Sequence, residues 1–189
     1  MIFETVVTTL GASGHVHIAP MGVRYRGGEV ILMPFKPSAT LDNIVASRHA
    51  VLNIIDDSRV FAGAVTGRRG WPTLPTEHVP GMRLACALSH VELALATLHD
   101  HPQRPVLHLA RVHEAVHSAG LGFNRAQAAV IEGAVLVSRL RMLPAEKVDA
   151  EMAYLQIAID KTAGPDEREA WLWLKDAIAR HRDAAERQS

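Results

Sequence analysis

The sequence predicts an α+β chain, with a β-rich domain over residues 1–119 and a helical C-terminal subdomain over residues 120–189. Three observations carry this. Up to Ser118, β-branched and apolar residues come in runs separated by Gly, Pro and Asp, the pattern of strands and turns. Beyond Gly120 the apolar spacing changes to that of helices, interrupted only at Pro144 and at Gly164–Pro165. Hydrophobic residues make up 48% and charged residues 21% of the 189 residues, enough to bury a core, which excludes a disordered or fibrous chain.

Taken in order, Ile2–Leu10 reads as a strand ended by Gly11, Ser13 and Gly14, and His15–Tyr25 as a second. Gly27–Gly28 is a hairpin signal, and Glu29–Phe35 returns as a third strand. Over Ser38–His49 the period changes, with Leu41, Ile44 and Val45 on one helical face and Ser38 or Thr40 as the cap. Ala50–Ile55 is a strand, and Asp56, Asp57 and Ser58 cap a helix to about Val65. Gly67, Gly70, Pro72, Pro75 and Pro80 mark a long irregular connection carrying Trp71, of the kind that often carries function. Met82–Leu98 and Pro105–Ser118 form a second hairpin around the turn 99–103. Helices follow over Asn124–Met142, Ala145–Thr162 and Asp166–Arg187. Ile131, Val135, Ser138 and Met142 line one side of the first, Met152, Leu155 and Ile159 the second, and Trp171, Leu174 and Ile178 the third.

Twenty Lys and Arg balance twenty Asp and Glu, so no global field draws the chain to nucleic acid or to an anionic membrane, and any anionic ligand needs a local pocket. The single cysteine, Cys86, excludes an internal disulfide framework and a multi-thiolate metal site. It reads as a small buried hydrophobe in an apolar strand. No basic, apolar leader opens the sequence and no stretch of eighteen residues is continuously apolar, so a cytoplasmic protein is expected.

The densest chemistry lies between Met33 and Asp57. A predicted strand ends at a cation, Lys36, and is followed by two hydroxyls, Ser38 and Thr40, where a helix begins. Side-chain donors and the free N–H groups of a first helical turn converge there, which suits an anion. The same residues also read as plain helix caps beside a solvated lysine.

Lys36, Thr40 and Asn43, followed by Asn53, resemble the K-x-S/D-x-T-x-x-N-I…V-N pattern of flavin-mononucleotide-binding split-barrel proteins, the group of flavin reductases and flavoredoxins. More narrowly, Ala19–Val23, Pro34–Thr40, Asn53–Phe61 and Phe123–Glu132 together resemble one branch of that group, domain-of-unknown-function family 447. This resemblance covers nearly the whole chain. It implies a split β-barrel of about six strands with a three-helix subdomain, a homodimer with FMN at the subunit interface, and a setting in tetrahydromethanopterin-linked one-carbon metabolism. Lys36, Ser38 and Thr40 would hold the phosphate, and backbone around Pro20, Met21, Gly22 and Val23 would run beside the ring edge. Asn43 and Asn53 would meet its polar edge, or else satisfy buried backbone groups. Arg125 could reach a phosphate from a neighbouring element, although an intrahelical or interhelical ion pair is the commoner fate of such a residue. Pro37 departs from the family's phosphate loop by removing one N–H donor.

Among the eleven histidines, His15 with His17 and His113 with His117 share strand faces. Neither pair has a third ligand at a regular interval in the sequence, so no metal site is expected. The reading that follows is an FMN-dependent oxidoreductase acting with a small-molecule redox substrate or donor. Its rival is an FMN-binding carrier, sensor or assembly module without turnover, and fold resemblance does not separate them.

Overall fold

The computed structural model describes residues 1–187. Its strands are β1 (Phe3–Leu10), β2 (Val16–Arg26), β3 (Glu29–Leu32), β4 (His49–Ile54), β5 (Thr73–Pro75), β6 (Met82–Leu84), β7 (Ser89–His99) and β8 (Val106–Val116). Its helices are α1 (Ala39–Ser47), α2 (Arg59–Thr66), α3 (Arg125–Ser138), α4 (Ala145–Thr162) and α5 (Pro165–Glu186). Six antiparallel strands close a barrel in the order β1-β2-β3-β8-β7-β4, while β5 and β6 form a separate two-stranded ribbon.

Two compact units result. One holds Met1–Asp56 and Gly70–Gly120; the other holds Asp57–Arg69 and the chain from Leu121 onward. The helix α2 thus belongs with the C-terminal helices, whereas the sequence places it in the domain 1–119. Arg59 supplies one reason: it grips Asp57 at 2.8 Å and also reaches Asp166 at 2.9 Å at the start of α5.

The barrel is filled by alternate residues of its strands, among them Val7, Val23, Val30, Leu32, Leu52, Leu93, Leu107 and Leu109, and α1 contributes Leu41 and Ile44. Each such side chain removed from water stabilises the fold by about 1.5–3 kcal/mol. Val45, expected on the same helical face, is exposed; the buried face runs instead through Thr40, Leu41 and Ile44. Gly27 and Gly28 take φ of 57° and 87°, the two left-handed positions that a tight hairpin between twisted strands requires.

Three boundaries differ from the sequence reading. The strand expected to reach Phe35 stops at Leu32, because Met33–Ser38 turns aside to the β7–β8 turn, where the Lys36 N–H donates to the Gln103 carbonyl at 2.9 Å. The segment expected to be continuous from Met82 to Leu98 is broken between β6 and β7. There the N–H of Ala85 donates to Pro72 and that of Leu88 to Ile54 instead of continuing one ladder. The helix expected to reach Met142 ends at Ser138, and its buried face is the small-residue side, Ala126, Ala129, Val130, Gly133 and Ala134, with Leu136 and Val137. Ser138 and Met142 are exposed. Close approach of α5 explains this: a Cβ on Gly133 would lie 2.9 Å from the Trp171 ring and 3.0 Å from Leu174. Trp171, Leu174 and Ile178 are buried, as the spacing predicts.

Candidate functional site

At the barrel corner where β3 runs toward α1, the chain is tied to the β7–β8 turn. Besides the Lys36 N–H bond, the Arg104 guanidinium donates to the Met33 carbonyl at 3.2 Å and lies 4.4 Å from the centre of the Phe35 ring. Ser38 caps α1, its hydroxyl accepting the Leu41 N–H at 3.4 Å. Thr40 is buried in the first turn. The Lys36 ammonium pairs with the carboxylate of Asp100, which is held below the usual carboxylate range chiefly by that contact. The Asp100 side chain is 74% exposed, so this pair is weak and a better anion can replace it. The corner therefore offers a cation, a hydroxyl and the first N–H groups of a nine-residue helix, and an anionic phosphate fits this donor set.

The other predicted cofactor contacts are placed differently. Asn43 donates to the Thr9 hydroxyl on β1 at 3.0 Å. Asn53 is fully buried and its amide is engaged throughout: Nδ2 lies 3.1 Å from the Val6 carbonyl, 3.2 Å from Thr8 Oγ1 and 3.3 Å from the Val51 carbonyl, and Oδ1 accepts the Leu84 N–H at 2.8 Å. It fastens β6 against β4 and β1 and has no donor left for a ligand. The Val23 side chain points into the barrel core with no exposed surface, so only its backbone is available to a ring. Pro20 and Met21 are half-buried on β2, opposite Val6 and Thr5. Next to them, the space beside Gly22 is taken by the Ile2 side chain, 2.8 Å from where a Cβ would stand. Arg125 opens α3 in the helical unit, lining a cleft with Glu132, Tyr154 and Leu155.

The structure also assembles a polar cluster that strand spacing alone does not reveal. On β7, Glu92 is fully buried and its carboxylate accepts three successive backbone N–H groups, from Glu77 at 3.0 Å, His78 at 2.8 Å and Val79 at 2.6 Å. Burial pushes this carboxyl up, yet those donors together with His90 hold it below its ordinary value of 4.5. His90 Nε2 faces the ionised carboxylate at 3.4 Å and so carries the proton, which leaves His90 Nδ1 to accept from His117 Nε2 at 2.9 Å. His113 and His117, paired by the sequence, both lie against His90, His117 stacked on it and His113 edge-on at 6.2 Å between ring centres. His113 also meets His78 from the irregular loop at a tilt, ring centres 4.1 Å apart. The signal for this cluster was in the sequence: an acid at position 92 inside an apolar strand must find donors when buried.

A family model described as a protein of unknown function (DUF447), N-terminal domain, matches residues 3–118, and a second DUF447 model matches residues 124–176. The chain belongs to the DUF447 family. Among solved structures, this DUF447 chain is similar to an FMN-bound protein of the same family from Methanosarcina mazei. The identity is 21% and the TM-score 0.79, with 93% of this chain and 94% of that one covered. A 2-nitrobenzoate 2-nitroreductase from Pseudomonas fluorescens is similar at 21% identity and a TM-score of 0.55, covering 60% of this chain and 64% of the nitroreductase, less than two thirds of its length. An FMN-binding protein from Thermus thermophilus matches at 13% identity and a TM-score of 0.52, covering 60% and 69% of the two chains. No curated protein matches the DUF447 chain. The likeness establishes the fold, a split barrel. Among the described residues, no helix is long and apolar enough to cross a membrane.

Proposed function

We propose that this DUF447 protein binds FMN at the corner formed by Lys36, Ser38 and Thr40, and that it is a flavin-dependent oxidoreductase. The observation that carries the proposal is the corner's donor set on a barrel whose FMN-bound relative is matched over 93% of the chain. Lys36 would exchange Asp100 for the phosphate, and the first N–H groups of α1 would complete the cradle. The backbone of Pro20, Met21, Gly22 and Val23 remains the segment proposed to run beside the ring. Asn43 can keep Thr9 and still offer its second Nδ2 proton and Oδ1 to the ring, whereas the polar atoms of Asn53 are already engaged within the barrel. When bound, the flavin supplies the redox chemistry, and the protein supplies position and electrostatics.

The finer elements of the reading are a homodimer with one FMN per subunit, a cytoplasmic location and a role near tetrahydromethanopterin-linked one-carbon metabolism. The family resemblance supports the first and the third, and a single cysteine, Cys86, suits a reducing compartment. The deciding experiment is the absorption spectrum of freshly purified protein, followed by reconstitution with FMN and anaerobic reduction by nicotinamide or deazaflavin donors. Flavin bands that bleach rapidly on reduction support the oxidoreductase; bands that stay inert favour a carrier or sensor. Failure to take up FMN overturns the cofactor assignment.

A further inference from the structure

We propose that Glu77, His78 and His113 form a binding site for a zinc-class divalent transition-metal ion on the barrel wall. One ligand atom from each of these three residues lies within 4.8 Å of the other two. A tetrahedral zinc ion with bonds of about 2.1 Å sets its ligands about 3.4 Å apart. The triad therefore needs a contraction of up to about 1.4 Å to close on a metal, within reach of side-chain rotation because Glu77 and His78 are exposed. Two imidazoles and one carboxylate suit zinc, cobalt or ferrous iron, whereas magnesium and calcium prefer all-oxygen shells.

The surroundings prepare this triad rather than leaving it to a mobile loop. Glu77 and His78 are consecutive residues whose backbone N–H groups are both fixed by the buried carboxylate of Glu92. Glu92 in turn stands directly opposite His113 in the β7–β8 ladder. One buried carboxylate thus sets the position of the loop ligands relative to the strand ligand, the role an outer partner plays around a metal. His90 and His117 are engaged with Glu92 and with each other, so they stand outside the ligand set. With three protein ligands, a fourth position faces solvent and would hold water or an exchangeable ligand. The site does not depend on the flavin reading.

The test is a titration of the chelator-treated full-length protein with zinc followed by calorimetry, and with cobalt followed by visible absorption. We expect one saturable equivalent and cobalt bands of a tetrahedral, nitrogen-and-oxygen site. His78→Ala and His113→Ala should each weaken binding by more than about tenfold, Glu77→Gln should weaken it less, and Glu92→Gln should weaken it through the loop by about 10–100-fold. His15→Ala, at an exposed histidine elsewhere on the barrel, should leave it unchanged. Because His78 and Glu77 lie on the surface, their variants should melt like wild type, which separates ligand loss from unfolding. Absence of a stoichiometric site in the wild type, or wild-type affinity in the His78→Ala and His113→Ala proteins, overturns the proposal.

Discussion

His78 donates its backbone N–H to the carboxylate of Glu92 at 2.8 Å across fourteen residues of chain, and the N–H groups on either side of it do the same. A buried anion satisfied by three parallel donors is a clasp: it holds an otherwise irregular loop against a barrel strand. Charge-assisted bonds of this kind are worth about 1.5–3 kcal/mol each, set against the cost of removing the charge from water.

Glu92→Gln should therefore destabilise the protein by about 2–4 kcal/mol, because an amide turned toward these donors loses acceptors and the charge. The pH dependence has a defined sign. The folded carboxyl titrates below the ordinary value of 4.5, so on acidification the unfolded chain binds this proton first. Its contribution is present above about pH 4.5 and is lost as the pH falls through the folded-state value. Urea denaturation with a chelator present, repeated at stepwise lower pH, should show a steeper acid loss in wild type than in Glu92→Gln. Parallel curves would show that Glu92 is not the titrating clasp.

Asn53 offers a separate test of structural against ligand roles. Asn53→Asp places a carboxylate 3.1 Å from the Val6 carbonyl and 3.3 Å from the Val51 carbonyl, where the amide had donated. A loss of about 2–5 kcal/mol is expected in flavin-free protein, measured by denaturant unfolding. Full stability in that variant would return Asn53 to the residues available for a ligand.

At the phosphate corner, Lys36 and Asp100 compete in opposite directions. Lys36→Ala together with Thr40→Ala should abolish retention of FMN, since each charge-assisted contact to a phosphate contributes about 1.5–3 kcal/mol. Asp100→Ala should tighten FMN binding by releasing the lysine. Fluorescence quenching of added FMN measures both, and an Asp100→Ala protein that binds more weakly than wild type would assign the aspartate to holding Lys36 in place.

In the helical unit, Gly133→Ala should lower the melting temperature although alanine is the better helix former by about 1 kcal/mol. The added methyl would meet the Trp171 ring at 2.9 Å, and Trp171 is itself anchored by its indole N–H to Gln156 at 2.7 Å. Overpacking of this kind costs about 1–3 kcal/mol. Calorimetry reads the outcome, and a raised melting temperature would show that α3 and α5 can separate without penalty.

What the sequence by itself determined is whatever follows from neighbours along the chain. Alternation and turn residues placed the six long β segments approximately, Gly27–Gly28 the tight hairpin, Ser38 the cap of α1, and the spacing of Trp171, Leu174 and Ile178 the buried face of α5. The anion-binding corner was legible for the same reason, because a cation, a hydroxyl and a helix start lie within five residues, from Lys36 to Thr40. Tertiary structure alone decided what depends on partners distant in sequence. Asn53 became a clamp because Val6, Thr8 and Leu84 surround it, and Lys36 met Asp100 because a strand end and a remote turn fold together. The face of α3 was misread for a related reason: close packing by Trp171 rewards small residues, which carry a weak periodic signal. Glu77 and His78 stand beside His113 because the buried carboxylate of Glu92 holds the loop's N–H groups against the strand pair that carries His113. Desolvation forces a buried carboxylate to collect donors, and the register of the barrel chooses which ones it collects.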